Sequence, residues 1–61
     1  MQTTLEFSLA AKVAARCERA GLQSATALRE ATQHLQSQGF SAAHSAKVAA
    51  AAVGMFFDGV Q

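Results

Sequence analysis

Apolar residues recur at helical spacing in three blocks along this chain, and each block is framed by hydroxyl residues before it and a glycine after it. In the first block Leu5, Leu9, Val13, Cys17 and Ala20 form one stripe, which Ala10 and Ala14 widen, as an amphipathic helix requires. Lys12, Arg16 and Arg19 occupy the other side. The second block has a narrower stripe of Leu28, Ala31 and Leu35, flanked by Ala25 and Thr32. Its broad polar face carries Arg29, Glu30, Gln33, Gln36 and Ser37, the pattern of an ordinary surface helix. The third block differs. Val48, Ala52, Met55 and Phe56 make one apolar side and Ala46, Ala50, Val53 and Phe57 another, leaving a thin strip with His44 and Lys47.

The punctuation between blocks predicts helices over about 4–20, 25–38 and 42–57. Thr3 and Glu6 have the spacing of a capping box, in which each side chain satisfies an orphan amide of the first turn. Gly21 followed by Leu22, and Gly39 followed by Phe40, fit the left-handed C-terminal cap and the apolar residue that accompanies it. Ser24 and Ser41 are the expected N-caps of the second and third helices, and Asp58-Gly59 is the expected stop of the third. Both connections are short, so consecutive helices fold back on one another or meet at a corner. The fold expected is a single all-α domain over residues 1–61, either three helices or a helical hairpin with a broken arm.

Size sharpens the third helix into a functional expectation. A domain of 61 residues buries a modest share of its surface and is marginal alone. The single cysteine, Cys17, excludes an intramolecular disulfide, which leaves self-association as the common supplement. Leaving Phe56 or Phe57 exposed together with Val53 would forgo roughly 1.5 to 3 kcal/mol for each side chain. A small domain has only about 5 kcal/mol of net stability to set against that loss. Ala42, Ala46, Ala50 and Gly54 form a smooth ridge along which another helix could approach. The expectation is therefore a fold completed by a homodimer of two-fold symmetry, with Val48, Ala52, Met55 and Phe56 as its interface. The other possibility is that this helix is the central one of a monomer, wrapped by its two neighbours.

Composition narrows the rest. Alanine supplies much of an apolar content of 51%, there is no Pro, Trp or Tyr, and the net charge is +1, far from a strongly basic balance. The amino-terminal residues lack a signal-peptide pattern, and no run reaches membrane-spanning length. A cytoplasmic protein with no membrane association is expected, and one unpaired thiol agrees with a reducing compartment. An interfacial amphipathic helix would need a Lys/Arg-rich polar face, whereas the third helix offers Lys47 alone.

Candidate chemistry is sparse. Cys17, His34 and His44 are one ligand short of a zinc site and lack its spacings, so no metal or other cofactor is expected. Cys17 sits on an apolar stripe, where a small inert hydrophobe is the natural role. Glu6, Glu18, Glu30 and Asp58 are scattered and no phosphate-binding glycine loop is present, so no catalytic residues are expected and the chain reads as a non-enzyme. A helix, a glycine turn and a second polar helix also allow a degenerate helix-turn-helix around Gly21. In that register Glu30 and Arg16 take positions that favour apolar residues, and a second trial around Gly39 puts Gln38 and Ser45 in interior slots. Lys12, Arg16 and Arg19 could contact phosphates or a partner protein. The expected function is thus a small protein–protein interaction module, a regulator, adaptor or inhibitor of the kind found among bacterial and phage accessory proteins. A small DNA-binding regulator is the alternative.

Overall fold

The computed structural model describes residues 4–57 and contains helices α1 (Leu5–Arg19), α2 (Ser24–Ser37) and α3 (Ala42–Phe56). Each helix packs against both others, which makes this a three-helix domain rather than a hairpin with a broken arm. The radius of gyration is 10.4 Å, against about 10.5 Å for a compact chain of this length. Every expected helix boundary lies within one residue of the observed one, the usual scatter at frayed ends.

The helix ends follow the glycines closely. Gly21 has φ of 80° and Gly39 of 103°, the left-handed region that a Cβ makes unfavourable. After α1 the Leu22 N–H donates to the Cys17 carbonyl at 3.0 Å and the Gly21 N–H to Glu18 at 3.1 Å. After α2, Phe40 donates to Leu35 at 3.2 Å and Gly39 to Gln36 at 3.0 Å. Both are Schellman motifs, which satisfy two carbonyls that the helix itself leaves unpaired.

Two helix N-termini differ from the expectation. Thr3 of the expected capping box lies outside the described residues, and the observed N-cap is Thr4, whose hydroxyl accepts the Phe7 N–H at 3.2 Å. The Glu6 carboxylate reaches α3, where it meets the His44 ring. At α2 the cap is Gln23 rather than Ser24, with no side-chain bond, because the chain regains helical geometry one residue early and Ala27 N–H donates to the Gln23 carbonyl. Ser41 caps α3 as expected, accepting the His44 N–H at 3.2 Å. The Asp58-Gly59 stop lies outside the described residues.

The buried faces keep Ala10, Val13, Ala14 and Cys17 of the expected α1 stripe and Ala31 and Leu35 of the α2 stripe, and differ from the expectation at their edges and in α3. In α1 the core side is Ala10, Val13, Ala14 and Cys17, with Phe7 packed beside it, while Leu5 and Ala20 are exposed. A run of i+4 steps drifts by about 40° each on a 3.6-residue helix, so the Leu5–Leu9–Val13–Cys17 series winds away from the core at its start. A straight stripe alternates three- and four-residue steps, as Phe7, Ala10, Ala14 and Cys17 do. In α2 the core side is Ala27, Ala31 and Leu35, and Leu28 moves to the edge.

In α3 a single buried face of Ser45, Ala49, Ala52 and Val53 lies between the two apolar sides expected, taking Ala52 from one and Val53 from the other. The core is consequently built from small residues, six of its ten hydrophobic members being alanine and Leu35 its largest fully buried side chain.

Candidate functional site

Small side chains dominate the helix contacts; Phe7, Leu9, Phe40 and Phe57 pack around them half-buried, and five other large side chains lie outside. Leu5, Leu22, Leu28, Met55 and Phe56 are all exposed, Met55 at 64% and Phe56 at 39%. Apart from Leu5 they belong to the turn before α2, the first half of α2 and the end of α3. There the two helices leave an open groove of about 280 Å³, lined by Ser24, Ala25, Leu28, Ala50, Val53, Gly54 and Phe57. Its size is at the lower edge of small-molecule pockets, which run from about 300 to 1,000 Å³. The lining carries no charge and one side-chain hydroxyl, that of Ser24.

The expected interface residues do not form one surface. Ala52 is fully buried in the core of the single chain and Val48 is half-buried against it, so Met55 and Phe56 alone remain available to a partner. The small-residue ridge fares differently. Ala42, Ala46, Ala50 and Gly54 are all exposed. With Ala43, Lys47 and Ala51 they give α3 an outer face on which Lys47 is the one formal charge. A Cβ placed on Gly54 would meet nothing within 4 Å among the described residues, so their packing gives no reason for a glycine there. The groove escaped sequence reasoning because it lies between helices. Leu28 and Ala25 supply one wall, Gly54 and Ala50 the other, and only the α2–α3 packing brings them together.

Polar chemistry is concentrated at the start of α1 and α3. His44 Nε2 and Glu6 Oε2 are 3.0 Å apart, the single contact between a carboxylate and a basic side chain among the described residues, and the His44 ring lies 5.9 Å from that of Phe40. The hydrogen bond from His44 holds the Glu6 carboxyl below its ordinary value of 4.5, a backbone amide adding to the effect. Half-exposed pairs of this kind contribute modestly, since solvent screens them. His44 is thus both capped by Ser41 through its backbone and tied to α1 through its ring.

Cys17 is buried, His34 is half-buried on α2, and no group of three metal-type ligands comes together among the described residues. Lys12, Arg16 and Arg19 are exposed on α1 and make no ion pair among the described residues. Arg16 and Glu30, placed at interior positions by the helix-turn-helix register, are both at the surface. Among the described residues the one buried polar side chain is Ser45, whose hydroxyl has no hydrogen-bond partner among them.

Fold and surface together define a three-helix all-α domain with an alanine core and an apolar groove, and no described helix is long and apolar enough to cross a membrane. No family model matches the chain, and no curated protein or solved structure does either.

Proposed function

We propose that this chain is a non-enzymatic protein–protein interaction module, a regulator, adaptor or inhibitor that works by occluding or scaffolding a partner protein and that self-associates through α3. One observation carries this proposal, the inverted distribution of side chains. Alanine supplies most of the core while Leu22, Leu28, Met55 and Phe56 stand outside it, Leu28 as one wall of the α2–α3 groove. Burying such residues is the main source of association free energy, and a domain this small has little stability to spare. The association surface on this proposal is the outer face of α3 from Ala46 to Met55, continued by Phe56 and by the groove against Leu28.

Sedimentation velocity from low to high micromolar concentration tests self-association directly. Burying the exposed part of Met55 is worth about 1 to 2 kcal/mol per copy at 1.5 to 3 kcal/mol for a whole side chain. In a symmetric dimer Met55→Asp should then weaken association by roughly thirty- to several-hundred-fold, at 1.4 kcal/mol per tenfold. Helicity should be retained, because Met55 is mostly outside the fold. Phe56→Asp reaches further into the domain and should lower stability as well. A wild-type chain that stays folded and monomeric at high micromolar concentration would overturn self-association.

A further inference from the structure

We draw no further inference here: the strongest candidate, the open apolar groove between the start of α2 and the end of α3 with the alanine-rich outer face of α3 beside it, belongs to the association surface already proposed, and nothing in the structure shows what covers it.

Discussion

Gly54→Ala separates two roles for the outer face of α3, because its effect on the single chain and its effect on association have opposite signs. Gly54 lies in the last turn of α3 with helical neighbours on both sides. An added Cβ meets no atom of the described residues within 4 Å and the backbone needs no positive φ, so their packing does not oppose the substitution. Removing glycine's extra freedom in the unfolded chain should stabilise the isolated domain by about 0.4 to 1 kcal/mol. At roughly 4 to 8 °C per kcal/mol for a domain of this size, the melting temperature rises by about 2 to 8 °C.

A second helix packed on the ridge meets the same methyl group differently. Helices approach to about 8 to 10 Å between axes only where the facing side chains allow it, and overpacking a fitted contact costs about 1 to 3 kcal/mol. Circular-dichroism melts at low micromolar concentration, paired with sedimentation at high concentration, read both effects. The expected result is a higher melting temperature when dilute and weaker self-association when concentrated. A melting temperature that is unchanged or lower for the dilute monomer would refute the open space around Gly54. Undiminished association would remove the Gly54 edge from the interface.

Three further outcomes follow from the core and the Glu6–His44 pair. Leu35→Ala deletes the largest fully buried side chain and should cost about 2 to 5 kcal/mol, enough to unfold much of a marginal domain; a cooperative melt near the wild-type temperature would contradict a core centred on Leu35. Ser45→Ala removes a buried hydroxyl with no hydrogen-bond partner among the described residues, and relief of its desolvation should raise stability by about 1 kcal/mol in chemical denaturation. A clear loss in Ser45→Ala would mean that the hydroxyl is satisfied in solution. The lowered Glu6 value makes its contribution fully present above the ordinary value of 4.5 and lost as pH falls through the folded value. Melts between pH 3 and 6 should therefore show a steeper acid loss in the wild type than in Glu6→Gln, and parallel curves would show that the pair contributes nothing.

Local order was legible because it depends on residues close in sequence. The two glycine caps, the Ser41 cap and the number and extent of the helices were accessible from spacing and side-chain type. They follow from which backbone groups a helix leaves unpaired and which residues can satisfy them. The first N-cap was less legible, because two adjacent threonines, Thr3 and Thr4, offer the same hydroxyl. Thr4 is the one that caps, and the meeting of Glu6 with His44, 38 positions away, depends on how α3 packs on α1.

What the chain alone determined, then, is that it forms three short helices and that the third is too apolar to be an ordinary surface helix. The tertiary structure decided which side of each helix turns inward. In α3 that side is Ser45, Ala49, Ala52 and Val53, a stripe that lies between the two apolar faces and takes a residue from each. The physical reason is close packing. Alanine at the contacts lets three helices approach one another, and this excludes Leu5, Leu28 and Met55 although each is more hydrophobic than the residues that replace it inside. Such a choice depends on the shapes of three faces at once, and no single helix encodes it.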